Sequence, residues 1–414
     1  MKRRVLLALI LLAGCPVRAF AGGGPTMDAT VTLWGAGSYR DPVDSAVNPN
    51  NTVFRLPQWL GTLEGRSEVR LTGEQVTVVV RPKLVLSADA TTAAAGAASR
   101  SATSSEVIWT EAFATYTPFD AVAVTYGLQN FQWGPAEAAG PSNRIFRDTI
   151  QAKEVLYDVR GHHLLRLNVT PHRDWTEVFL LELSGNGEPA FEAGESFAHQ
   201  ALLKSEYVWN GGADYGGLVV GWREHAGGWL GEYLSVGLTD GLSGYLDASH
   251  QQGSLAWYPD RGFSQSRASE SRIYTFLVAG LRYAFESGND ARLEWVFQEA
   301  GYSAAEVGDA WDTLRSSPQA LGYAQQSGLE FPGRQYLHAS LRVPDAFRVK
   351  DWTLYARCLV SLQDGSVAAY GSTEAAVGGA GTVFAGIRIT AGSAASELRG
   401  AVRTAITIGY RHAW

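Results

Sequence analysis

Charge is scarce in this 414-residue chain: Asp, Glu, Lys and Arg make up 18% of it, against roughly 25% in ordinary soluble domains. Sulfur is scarcer still, with 2 cysteines and 2 methionines. Cys15 falls within an N-terminal leader, so the remaining Cys358 has no partner for an intrachain disulfide, and no C-x-x-C-H haem site exists. Beyond the leader no run of about 18 uncharged apolar residues occurs, which excludes a membrane-spanning helix. The best contender, "AAVGGAGTVFAGI" at 375–387, is interrupted by glycine and stops at Arg388. No phosphate loop, zinc spacing or paired-carboxylate pattern stands out, so no cofactor is expected. His162 and His163 are adjacent, and in a strand they point to opposite faces, so they cannot share a metal ion.

Against these absences stand 46 glycines, 13 tryptophans and 17 tyrosines, with a mean hydropathy of −0.08. Moderate hydropathy with many glycines and aromatics suits a wall that is apolar outside and polar inside. The N-terminus reads as an export signal: Lys2, Arg3 and Arg4 precede the apolar "VLLALILLAG", and "AFA" at 19–21 is a small-x-small cleavage site, so the mature chain is expected to start at Gly22. "LAGC" at 12–15 also fits a lipoprotein box, in which Cys15 would carry the lipid. Both readings export the protein. Without residues 1–21 the chain holds 30 basic and 41 acidic residues, a net charge of −11, which argues against nucleic acid as a partner.

Period-two alternation runs through the rest, expected to form one domain over 22–414. In "WLGTLEGRSEVRLTG" Leu63, Val69 and Leu71 share one face, and Glu64, Arg66, Glu68 and Arg70 the other. In "DARLEWVFQEAG" Leu293, Trp295 and Phe297 oppose Arg292, Glu294 and Gln298. About eighteen strands are expected, with sixteen as the alternative, placed near 29–38, 59–72, 75–87, 106–117, 120–130, 153–169, 174–184, 200–210, 214–224, 228–239, 244–258, 271–286, 290–301, 334–343, 351–363, 366–377, 381–391 and 397–414. Short connectors such as "GE", "PF" and "PHRD" alternate with long ones: 39–58, the low-complexity "ATTAAAGAASRSATSS", 131–152 and 302–333. Short turns on one side and long loops on the other predict an all-β, transmembrane antiparallel barrel. Trp59, Trp109, Trp175, Trp209, Trp229, Trp257 and Trp352 fall near strand ends, where indoles suit the headgroup level.

The chain closes on "TAITIGYRHAW", with Ile406, Ile408, Tyr410 and Trp414 on one row and Arg403, Thr407 and Arg411 on the other. This ending resembles the terminal strand of Gram-negative outer-membrane barrels. The resemblance implies an outer-membrane location among lipid and lipopolysaccharide, and recognition of this strand by the barrel-assembly machinery.

With apolar rows facing lipid, the polar rows face a lumen too wide for wall side chains to fill. Its expected lining is Glu64, Arg66, Glu68, Arg70, Arg81, Arg282, Arg292, Glu294, Arg357, Arg388 and Arg403. Fixed charges in a narrow aqueous pore select permeants by sign, and the surplus of arginine suggests anionic or polyhydroxyl solutes. The loop "NFQWGPAEAAGPSNRIFRDT" at 130–149 follows the fifth strand. In position it resembles the loop of general diffusion porins that folds inward and narrows the pore. That resemblance implies that Glu137 and Asp148 face wall arginines such as Arg66, Arg70 and Arg81 across a constriction. "LHASLR" places His338 and Ser340 on one strand face, a spacing resembling outer-membrane phospholipase, but that family's Asn-Gly after the serine is replaced by Leu341 and Arg342. The expected function is therefore non-enzymatic: a porin-like channel for small hydrophilic solutes. An exporter or binding platform for a polysaccharide or protein, and a lipid hydrolase using His338 and Ser340, are the alternatives.

Overall fold

A computed structural model describes residues 24–44, 48–51, 55–91, 100–146, 155–184, 197–224, 226–259, 262–263, 265–316, 329–393, 396–399 and 402–414. The leader with Cys15 and Gly22 lies outside the described residues, as does Asp148. Eighteen strands follow one another: β1 (Thr26–Pro42), β2 (Trp59–Thr72), β3 (Val76–Thr91), β4 (Arg100–Phe119), β5 (Val122–Gln129) and β6 (His162–His172). Then come β7 (Trp175–Ser184), β8 (Gln200–Trp209), β9 (Asp214–Arg223), β10 (Gly227–Gly237), β11 (Leu242–Gln252) and β12 (Ile273–Ala284). The last six are β13 (Asp290–Gln298), β14 (Gln335–Val343), β15 (Trp352–Ser361), β16 (Val367–Val377), β17 (Gly381–Ala391) and β18 (Val402–Ala413). Each pairs antiparallel with its sequence neighbours, and β18 returns to β1 from Thr32↔Ala413 to Pro42↔Val402. The sheet is a closed 18-stranded antiparallel barrel, which leaves no ladder edge along its seam. Even the last residue is in the ladder: Trp414 N donates to Val31 O at 2.9 Å.

The outward rows are apolar. Leu203, Leu218, Val220, Ile406, Ile408 and Tyr410 stand exposed, as side chains do on a wall whose solvent is hydrocarbon. The inward rows carry most of the buried polar groups. A bulge shows how finely the alternation is kept. Arg81 of β3 pairs Glu111 of β4, and the next residue Pro82 pairs Trp109, so Thr110 is the extra residue. Trp109 thereby points to lipid while Glu111, two positions on, turns inward to meet Arg81. The Thr110 hydroxyl fills the irregularity by donating to Arg81 O at 3.0 Å.

Several expected boundaries move. The stretch expected as strand from 153 begins only at His162, because residues 155–161 belong to the preceding loop. Part of the low-complexity segment is strand rather than loop: β3 and β4 pair out to Thr91↔Arg100, and the Ser87 and Ser104 hydroxyls bond across the hairpin at 2.6 Å. The connector after β11 starts at residue 253, not 259, so 253–272 joins 130–161 and 299–334 among the long connections opposite the termini. Two tryptophans leave the girdle. Trp229 is buried on the inward row of β10, and Trp257 packs in an external cluster with Phe263 and Tyr302. Trp59, Trp109 and Trp175 stand exposed outside, joined by Trp222 and Trp295.

Candidate functional site

After β5 the chain enters the barrel. Residues 131–146 lie along the inner wall from β6 to β15. Ile145 and Phe146 pack against Leu164, Leu180, Leu202 and Val219 of β6–β9, with Phe131 and Trp133 beside them. Ala138 and Ala139 pack against Val278, Val296, Tyr336 and Leu359 of β12–β15. No helix or strand satisfies this segment's backbone, so buried N–H groups must find acceptors elsewhere. Two inward carboxylates supply them. Glu294 accepts Glu137 N at 2.6 Å and Ala138 N at 2.7 Å, while Tyr245 OH and His338 Nδ1 hold it at 2.7 and 2.9 Å. Asp247 accepts Ser142 N at 2.7 Å. Gly134 makes this approach possible: its φ is +90°, and a Cβ there would lie 2.1 Å from Asp247 Oδ2.

Glu137 does face wall cations and hydroxyls, but not the expected ones. Its carboxylate takes bonds from Ser340 Oγ at 2.8 Å and from Tyr355 OH, and sits 3.3 Å from Arg292 Nε. Arg66, Arg70 and Arg81 lie on β2 and β3, away from β13–β15 in the strand order. Glu294, expected along the pore, has no exposed surface beneath the loop and cannot meet a passing solute. Arg357 is also buried, its guanidinium over the rings of Tyr355 and Tyr370 at 5.1 and 4.6 Å.

The wall formed by β16–β18 and β1–β4 carries a further group of charges. Arg66 meets Glu64 at 2.6 Å and Asp158 at 3.9 Å, and Lys83, overlooked in the sequence, meets the same two acids at 3.1 and 3.7 Å. Arg81 bridges Glu68 and Glu111, and Arg70 lies 3.2 Å from Glu68. Arg403 pairs with Asp41 at 2.6 Å and Arg411 with Glu374 at 2.8 Å. Trp34 lies between Arg66 and Arg411, 4.4 and 5.1 Å from its ring. Arg388 occupies the β17 position paired with Tyr370. Toward the short-turn end, Arg282 pairs with Asp290, which also lies 3.3 Å from Arg292.

These pairs do not cancel evenly at the surface. The Arg81 side chain is 40% exposed and its partner Glu111 8%. For Arg403 and Asp41 the values are 62% and 27%, and for Arg66 and Glu64 21% and 7%. In these three pairs the arginine is the more exposed partner, whereas Asp158 is more exposed than Arg66 and Lys83, and Arg411 and Glu374 are nearly equally exposed.

His338 and Ser340 share the inward face, yet each serves a different acid: His338 is fully buried against Glu294, and Ser340 donates to Glu137. The geometry therefore does not support an activated serine. Among the described residues no cluster of His, Cys, Asp or Glu could hold a metal ion.

Outside, the described residues of connections 253–272 and 299–334 pack together around helix α1 (Ala304–Ser316), with Phe263 against Tyr302, Val307 and Ala310. Ser303 and Glu306 form a capping box: Ser303 N donates to Glu306 Oε2 at 2.8 Å and Glu306 N to Ser303 Oγ at 3.3 Å. Burial would raise the Glu306 carboxyl, but the bonds from Ser303 and the charges of Arg267 and Arg334 outweigh it and hold the carboxyl below its usual range. Residues 396–399 dock beside this cap, where Glu397 N donates to Asp364 Oδ2 at 2.8 Å and Tyr336 OH donates to the Glu397 carboxylate.

No protein-family model matches the chain, and no curated protein matches it by sequence. Solved structures do match its fold. OccAB1 of Acinetobacter baumannii aligns with a TM-score of 0.61 and 9% identity over 95% of this chain and 98% of that one. OccK2 (OpdF) of Pseudomonas aeruginosa, solved with glucuronate, aligns with a TM-score of 0.56 and 11% identity over 94% and 97%. Wzi of Escherichia coli, an outer-membrane protein involved in group 1 capsule assembly and described as a carbohydrate-binding β-barrel, aligns at 0.54 and 8% over 99% and 86%. The fold is that of Gram-negative outer-membrane barrels of the porin type, and none of these three is described as an enzyme.

Proposed function

We propose that this barrel is an outer-membrane channel through which small hydrophilic solutes diffuse, with weak preference for anionic or polyhydroxyl ones. The observation that carries the reading is the 131–146 segment, drawn inside and tied to the inner wall, facing a charged wall on β16–β18 and β1–β4. An inward loop narrows the aqueous path without closing the barrel on itself. The path then runs beside Arg66, Arg70, Arg81, Arg403 and Arg411, of which Arg70, Arg81 and Arg403 are more exposed than the acids they pair with. Fixed positive charge at a narrow passage favours anions. The solved relative with glucuronate carries a small anionic polyol, the class of solute such a wall suits. The serine–histidine pair singled out in the sequence, His338 and Ser340, is split between two carboxylates, which supports a conduit rather than a catalyst.

In this reading the outward rows contact lipid and lipopolysaccharide, and the closing strand with Ile406, Ile408, Tyr410 and Trp414 is the segment read by the assembly machinery. Residues 1–21 are the export leader and the barrel is a single domain. The test is conductance of the purified protein in planar bilayers, with reversal potential under a salt gradient. Discrete water-filled steps with anion preference are expected. Absence of steps from a correctly folded barrel overturns the channel, and cation preference overturns the assigned sign.

A second reading, a platform that binds polysaccharide, is favoured by the folded external cap, where Arg267 and Arg334 both bond to Glu306, and by the likeness to a carbohydrate-binding barrel. Retained polysaccharide binding by a protein without conductance would favour it.

A further inference from the structure

A recess lies between the inward loop and the external cap, against the inner wall of β8–β13, with about 70 Å³ open to the centres of water molecules. At roughly 10–15 Å³ per water that is space for several waters, about what one sugar ring displaces. Deeper on the same wall the inward positions are apolar and fully buried, as at Val219, Val278 and Val296. The recess is different. Three amides converge on it from separate strands, Gln200 on β8, Gln251 on β11 and Gln298 at the end of β13, beside the Ser249 hydroxyl.

Each amide is held by its nitrogen. Gln200 Nε2 donates to Glu182 Oε2 at 2.9 Å, Gln251 Nε2 to Ala226 O at 2.8 Å, and Gln298 Nε2 to Phe331 O at 3.2 Å. Gln298 is nearly buried, and no donor among the described residues reaches its Oε1. That oxygen is closed off from water, and an orphaned acceptor there costs free energy unless the amide turns to meet a guest or solvent in the recess.

The fourth element is an aromatic surface. Trp229 pairs with Gly221 across β9 and β10, and a Cβ on Gly221 would lie 2.2 Å from the indole. The ring therefore lies against the wall where only glycine leaves room, and it lines the recess. A fixed indole beside fixed amides matches the two-sided chemistry of a pyranose, which has an apolar C–H face and a rim of hydroxyls that donate and accept.

We propose that this recess is a binding site for a single pyranose unit, with Trp229 taking the C–H face and Gln200, Gln251, Gln298 and Ser249 taking the hydroxyls. It rests on the channel reading only for how the sugar arrives. As a channel subsite it would hold sugars briefly on the external side of the constriction.

The test is isothermal titration of the full chain in detergent with glucose, galactose and glucuronate, on wild type, Gln251→Leu, Gln298→Leu and Trp229→Phe. Binding of at least one sugar is expected, weakened about tenfold by either leucine variant, as the loss of one hydrogen bond implies. Heat-modifiable migration on gels checks that each variant is a folded barrel. Trp229→Phe keeps an aromatic face and is expected to weaken binding less than the leucine variants do. No heat with any of the sugars, or binding indifferent to both glutamines, overturns the site. Because titration needs no current, a barrel that binds sugar but does not conduct would refute the channel and leave the site standing.

Discussion

Replacing Glu294 by Gln tests whether the inward loop is held by the carboxylate that meets it. Glu294 accepts four bonds, two on each oxygen: Glu137 N and Tyr245 OH on Oε1, Ala138 N and His338 Nδ1 on Oε2. An amide keeps one acceptor oxygen and turns an NH₂ toward the other pair of donors. Whichever way it rotates, one loop N–H faces an N–H. Bonds to a charged acceptor contribute about 1.5–3 kcal/mol each, so losing two costs roughly 3–6 kcal/mol. One of the two lost bonds is the loop's, about 1.5–3 kcal/mol, and the barrel tolerates the other because β13 stays in place through backbone ladders to β12 and β14. Ile145 and Phe146 would still hold the loop's far end by apolar packing. The expected phenotype is a folded, heat-modifiable barrel whose single-channel conductance rises and whose open current becomes noisy. Wild-type conductance and quiet current in E294Q would refute the anchoring argument, and with it the view that residues 134–143 set the width of the passage.

Gly134→Ala reaches the same segment by another route, through strain at φ +90° and a clash with Asp247, and is expected to raise conductance and noise as E294Q does; a silent variant counts against the anchoring of the loop by Asp247. Burial lifts the Glu397 carboxyl to about 7, above its ordinary 4.5. Since the docked form holds its proton more tightly than the free form, docking of 396–399 is strongest at acid pH and weakens as pH rises from 4.5 to about 7. Amide exchange at Leu398 should therefore be faster at pH 8 than at pH 5.5 beyond the intrinsic base dependence, and the opposite residual trend refutes it. Arg403→Ala uncovers Asp41 and should lower the anion-to-cation permeability ratio read from reversal potential, whereas an unchanged ratio would remove this pair from the path. Deleting Trp414 removes the closing backbone bonds to Val31, and is expected to cut the yield of folded barrel in the outer membrane several-fold with little effect on conductance of what folds.

What could be read from the sequence was what depends on spacing of two and on chain ends. The strands 59–72, 381–391 and 214–224 declare themselves because each alternates against a lipid-facing row, and the closing strand because its aromatic row runs to the last residue. The sixth strand was misplaced because "KEVLYDV" alternates as a strand does, although Val155 N and Leu156 O bond to Tyr370 and Arg66 of distant walls. Glu294 and Glu68 look alike in sequence, both inward on charged rows, and only the arriving loop separates a buried anchor from an exposed one. Trp229 and Trp222 differ for the same reason: Gly221 opposite Trp229 makes room for an indole inside. Asp247, Tyr245 and His338, which complete the anchor, carry no local signal. Ser303-x-x-Glu306 does carry one, a capping box inside the 302–333 connector.

The inward acids show why counting charges along a strand is a poor guide to what a pore selects. Glu294 and Asp247 are spent on backbone N–H groups of the loop and contribute little field to the water path. Glu64 and Glu111 are less exposed than the Arg66 and Arg81 they pair with. Glu68, shared between Arg70 and Arg81, holds two cations forward with one negative charge. Glu64, Glu68 and Glu111 let the arginines of β2 and β3 crowd together, because without these acids they would repel one another and splay. A nearly balanced inventory can therefore give an anion-favouring wall, provided that the carboxylates sit deeper than the groups they neutralise. Removing Glu68 would on this argument weaken anion preference rather than strengthen it, by releasing Arg70 and Arg81 from the positions that point their charge at the path.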